Sequence, residues 1–199
     1  MNRQSKTIAM LIVLCLCSLS AQAGIIEQSE GTAMRSLEFY QLAGQTFTAE
    51  DSLLDTIEFG LQCNTINAPA SSLTVELYEW DGDSGSMGSL LTSAVNTTEL
   101  PAFRGGNIWV AFDFSGVSME IDREYAAVII DPADDLWGYG IAWDSTTDRY
   151  EGGSALFRGG ADENGYDTKF RVTSHVPVPA AIWMLGSGLL GLVATRRRK

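Results

Sequence analysis

Between residues 24 and 174 the apolar side chains recur at every second position over short runs. No stretch there carries the three-to-four-residue spacing of a long amphipathic helix, which restricts the region to an all-β fold. The clearest run covers residues 73–80, where Leu73, Val75 and Leu77 alternate with Thr74, Glu76 and Tyr78. A period of two puts the first set on one face of a strand, against a core, and the second on a wet or aromatic-lined face. The same pattern predicts strands over residues 45–49, 53–62, 90–94, 108–114, 125–131, 139–143, 154–157 and 168–173, separated by Gly, Asp, Asn and Ser turns. Nine short strands suit two packed sheets, a jelly-roll-like β-sandwich whose strand order the pattern leaves open. Residues 24–44 fit either a short helix or an additional edge strand.

The chain has 199 residues, the size of one domain plus terminal signals. Its 13 basic residues crowd the ends: Arg3 and Lys6 open the chain, and Arg196, Arg197, Arg198 and Lys199 close it. That leaves seven for the region between, against all 25 acidic residues, which lie between Glu27 and Asp167. A field so negative repels nucleic acid and favours cations or basic partner surfaces. Cys15 and Cys17 fall in the apolar start, so the working part keeps only Cys63 and no internal disulfide. Cys63 is then a buried small hydrophobe or a free thiol for an intermolecular bridge.

Residues 1–23 have the order of a secretory signal peptide. A basic start precedes an apolar run over 8–17, and Ala21 and Ala23 supply the small residues that signal peptidase requires before Gly24. Leu14 and Leu16 precede the two cysteines where a lipoprotein processing site needs a small residue, which argues against lipidation. At the other end, residues 180–195 carry no charge, and the four cations of 196–199 follow. Sixteen helical residues rise roughly 24 Å against a hydrocarbon core of ~30 Å, a marginal span. A helix there would hold its basic end in the cytoplasm and leave the rest outside the inner membrane. The organisation expected is therefore a signal peptide over 1–23, a domain over 24–174 and a tail over 175–199.

The tail resembles the PEP-CTERM sorting signal of exopolysaccharide-producing Gram-negative bacteria. The residues that carry the resemblance are Val176, Pro177, Val178, Pro179, Ala180 and Ala181, then Trp183, then the glycine-rich run over 186–192 and the arginine cluster. They match the VPxPAA subtype, with Val178 where the name-giving motif has glutamate. The resemblance implies an exosortase as processing partner, cutting near Pro177 to Pro179. It also implies transient anchoring in the inner membrane with the domain in the periplasm, then delivery to the cell surface or extracellular matrix, with exopolysaccharide as an associate. Residues 45–171 are also similar to a β-sandwich module of other exported bacterial proteins with sorting tails. The shared elements are Gln45-Thr46-Phe47-Thr48, the runs 73–78, 109–114 and 125–129, and Asp167-Thr168-Lys169-Phe170-Arg171.

Catalytic chemistry finds little support in the residue types. His175 is the only histidine and stands at the junction with the tail, which removes Ser-His and Cys-His pairs and a His-rich zinc site from consideration. Carboxylate pairs are unavoidable by abundance alone, so no enzyme is expected. Calcium is the one candidate cofactor. It needs six to eight oxygens, and Asp162, Asn164 and Asp167, in an acidic loop with Gly165, are the first choice, ahead of the loops at 81–85 and 131–135. None completes an EF-hand pattern. Glycan binding is the alternative function, with Trp137, Tyr139, Trp143 and Tyr150 supplying ring faces among acidic and Arg residues. Alternation equally places Trp137, Tyr139, Ile141 and Trp143 on one core-facing side.

Overall fold

The computed structural model describes residues 24–66, 72–103, 106–130 and 138–175. These residues contain twelve strands and no helix. In chain order the strands are β1 Gly24–Gln28, β2 Ala33–Ser36, β3 Ala43–Thr48, β4 Leu53–Cys63, β5 Thr74–Asp81 and β6 Ser86–Val95. They continue with β7 Ile108–Ser118, β8 Glu124–Ile130, β9 Tyr139–Trp143, β10 Ala155–Phe157, β11 Gly160–Ala161 and β12 Phe170–His175. All the pairs between these strands are antiparallel. The all-β expectation holds, and the strands divide into two six-stranded sheets.

The first sheet is organised by β4. One of its edges pairs with β7, and the other is shared by two strands, β12 along Leu53 to Phe59 and β9 along Leu61 to Cys63. β1 then pairs with β12, and β2 with β9. The second sheet runs β11-β10-β3-β8-β5-β6. Residues 24–44, open between helix and edge strand, form the edge strand β1 and the short β2.

One cluster of buried side chains draws on both sheets: Phe59, Leu61, Val110 and Phe112 from the first, Phe47, Val75, Leu77 and Ile129 from the second. The alternation explains it, since β7 buries Val110, Phe112 and Phe114 and turns Asp113 outward. Each fully buried Phe or Leu contributes about 1.5–3 kcal/mol. Cys63 belongs to this core, its Sγ 3.5 Å from the Thr65 carbonyl. β3 and β8 are nearly continuous buried runs because a smaller cluster of Ala126, Val128 and Leu156 packs under Leu42, Tyr78 and Trp80 on the far side of β8. Tyr78 donates to Glu76 at 2.5 Å, and that bond, with burial, pushes its hydroxyl up to about 12.

Gly153 fastens the loop before β10 to β3. A β-carbon there would lie 1.9 Å from the Thr46 carbonyl oxygen, in the segment where Ser154 exchanges three hydrogen bonds with Thr46. Gly153→Ala is expected to cost about 1–3 kcal/mol, read as a lower urea midpoint with an unchanged m-value.

Candidate functional site

The segment 144–168 leaves the first sheet where β9 and β12 share the edge of β4, and returns by a Trp143–Thr168 bridge. A buried carboxylate, Asp167, holds part of its backbone. Asp167 accepts from the Gln45 Nε2 at 2.8 Å, and from the backbone N–H groups of Arg149 and Tyr150 at 3.0 and 2.9 Å. Gln45 in turn takes the Thr168 N–H and hydroxyl on its Oε1, at 2.9 and 3.0 Å. Asp167, Gln45 and Thr168 are all fully buried. Burial pushes the Asp167 carboxyl up, against the pull of the Tyr150 and Arg149 N–H groups and the Gln45 amide.

Asp144 governs the start of the same segment. It accepts from the Thr146 hydroxyl at 2.6 Å and N–H at 2.9 Å, and it pairs with the Arg149 Nε at 2.5 Å. The Thr146 hydroxyl foremost, with the Arg149 guanidinium, holds this carboxyl well below the usual range. These two aspartates place Arg149 and Tyr150 on the wall of a shallow cleft of about 520 Å³, lined also by Thr48, Ala49, Glu50, Asp122, Glu151 and Gly152. Three carboxylates thus face one guanidinium and one phenol ring. That mixture suits a neutral polyhydroxylated molecule or a cation better than an anion.

The candidate aromatic residues separate in space. Tyr139 and Trp143 are buried, at 1% and 7% exposure, which is the packing that strand alternation allows. The Trp143 ring is occupied besides: the Arg35 guanidinium lies over it at 4.3 Å, and over Tyr40 and Phe157 at 4.6 and 4.7 Å. Tyr150 is half-buried, with its ring edge-on to Phe170 and its hydroxyl accepting the Thr48 N–H at 3.1 Å. Trp137 lies outside the described residues. Of the three described, Tyr150 alone lines the cleft.

The candidate calcium residues separate too. Asp162 caps its own turn through the Asn164 N–H at 3.0 Å, while the Asp167 carboxylate is turned inward onto its three N–H donors. Among the described residues no group of three or more His, Cys, Asp or Glu side chains stands close enough to hold a metal ion. The loop at 81–85 closes on itself, with Asp81 accepting from Ser84 and Asp83. Residues 131–135 lie outside the described residues.

Two cation clusters carried no sequence signal of their own. One is Arg35 within its aromatic nest. The other is on the first sheet, where Lys169 and Arg171 lie over Trp109 at 4.7 and 4.6 Å while Arg171 bridges Glu27 and Glu58. Gln45 did carry one: an amide in a strand otherwise made of small and apolar residues must find buried partners.

The domain's two ends lie side by side. β1 begins at Gly24, paired with Ser174 of β12, and β12 ends at His175, paired with Leu53. The His175 Nδ1 is 2.7 Å from Asp55. The Gly24 N–H and the Ser174 hydroxyl both donate to the same Asp51 oxygen, each at 3.1 Å. Ala21 and Ala23, the motif Val176 to Ala181, the expected helix over 180–195 and Arg196, Arg197, Arg198 and Lys199 lie outside the described residues. Among the described residues no helix is long and apolar enough to cross a membrane.

Comparison with known proteins finds its match at this end. Residues 175–199 match the PEP-CTERM protein-sorting motif, and a tail of that kind belongs to exported, surface-directed proteins processed by an exosortase. No curated protein matches the chain.

Proposed function

We propose that this chain, carrying a PEP-CTERM tail, is a non-enzymatic cell-envelope or extracellular-matrix protein associated with exopolysaccharide. The observation that carries the reading is the sorting-motif match over 175–199. Cleavage near Pro177 to Pro179, the site implied by the VPxPAA pattern, leaves the twelve described strands uncut. In this reading signal peptidase cuts before Gly24, and residues 180–195 anchor the precursor in the inner membrane. The acidic domain faces the periplasm until the exosortase acts. Mass spectrometry of the protein from its native host tests this. The expected product begins at Gly24 and ends near Pro177 to Pro179, and an untrimmed chain recovered from the cytosol overturns the reading.

The cleft beside Tyr150 favours a second reading, a carbohydrate-binding module. Carboxylates and a guanidinium bond sugar hydroxyls while an aromatic edge supports the ring, and the lining supplies all three groups. Affinity electrophoresis of the mature protein through host exopolysaccharide is expected to show retardation, reduced severalfold in Glu151→Gln. Equal mobility with and without polysaccharide removes this reading and leaves the first intact.

A further inference from the structure

We infer that Asp51 is a receptor for the amino group that processing creates at Gly24, so that removal of the leader adds an ion pair between the domain's first and last strands. The inference rests on cleavage before Gly24 and goes beyond it. Within the precursor the Gly24 nitrogen is a peptide N–H that donates to Asp51 Oδ2 at 3.1 Å. Cutting the bond before Gly24 converts that nitrogen into an ammonium group with no change in where β1 must lie, because β1 is held to β12 by five paired residues. A neutral donor is thereby replaced by a cation at hydrogen-bonding distance from a carboxylate, a stronger contact than the one it replaces.

The site suits this role in two further respects. A β-carbon at position 24 would stand 2.2 Å from Asp51 Oδ2, so only glycine lets the carboxylate come this close. The same oxygen accepts the Ser174 hydroxyl, one residue before the strand ends at His175. Asp51 therefore ties the new amino terminus to the strand from which the sorting tail departs. Both groups are partly exposed, which keeps the effect to the size of a well-placed surface pair.

The test uses the mature protein purified from its host after export, with the amino terminus assigned by mass spectrometry. The α-amine is acylated at about pH 6.5, where it reacts ahead of lysine, and the single adduct is verified by mass. An acyl group keeps one N–H donor and removes only the charge. In the wild type a fall in Tm of roughly 2–4 °C is expected, and in Asp51→Asn a fall of less than half that. Equal falls in the two proteins, or none in the wild type, overturn the inference while leaving cleavage before Gly24 intact. An amino terminus at any other residue overturns it together with the leader assignment, and the mass spectrum tells the cases apart.

Discussion

Asp167→Ala is expected to lower Tm by roughly 6–12 °C. The substitution removes the carboxylate that accepts from the Gln45 amide and from the N–H groups of Arg149 and Tyr150. A stranded donor costs about 1–3 kcal/mol, and water entering from the Arg149 side recovers part of that, leaving about 3 kcal/mol in all. Amide hydrogen exchange locates the damage: protection is expected to drop across 144–168 and to persist in β4, β5 and β7. Uniform loss of protection would mean that Asp167 supports the whole sandwich and not this segment.

The same carboxylate sets a pH dependence of unusual sign. Because burial raises its folded pKa above the unfolded value, the fold favours the protonated side chain. That contribution is fully present below the unfolded pKa, near pH 4, and is lost as pH rises through the folded value. Asp144 has the opposite sign: its pKa is depressed, so its contribution is present above the unfolded value and lost as pH falls. In Asp167→Asn only the second slope remains. Going from pH 7 to pH 4, its Tm is expected to rise less, or fall more, than that of the wild type.

What the residues announced in advance follows their physics. Alternation is a one-dimensional signal of which face is buried, and it located β5, β7 and β9 to within a few residues because each carries large apolar side chains on one face. β1, β2 and β11 escaped clear assignment for the converse reason. β2 is half-buried throughout, β11 has two exposed residues, and β1 earns its place by pairing with β12. β1 and β2 are defined by partners far away in the chain, which no local pattern records, and β11 is only the short return arm of a hairpin with β10. The sharing of β4's edge by β9 and β12 is likewise a tertiary fact, yet it is what throws out the segment 144–168 and makes the cleft.

The candidate side chains divide along the same line. Aromatic residues in a strand are ambiguous between core and binding surface, and Tyr139 and Trp143 resolved to the buried alternative because β9 is covered on both sides. Acidic loop residues are equally ambiguous between ligand cage and turn. Asp162 serves its own turn and Asp167 faces inward, a difference decided by Gln45, more than a hundred positions away. The sorting tail needed no such arbitration, since its meaning lies in an order of residues along the chain, and the motif match falls on the residues that carried the resemblance.

Ending the chain at His175 is expected to have the greater biological effect. Among the described residues every strand and every member of the core cluster lies at or before His175, so the shortened domain should melt close to the wild type. Its destination should change entirely. On the proposed reading, a chain that lacks the proline motif, the apolar stretch and the four cations has nothing to halt it at the inner membrane and no site for an exosortase to cut. The shortened protein is then expected in the periplasm or medium, with almost none retained at the cell surface. Pro177→Ala combined with Pro179→Ala should separate anchoring from cutting: the apolar stretch remains, so the uncut precursor accumulates in the inner membrane at its higher mass. If the shortened chain instead fractionates with cells as the wild type does, the tail is not what sorts this protein, and surface attachment must be sought in the acidic domain itself.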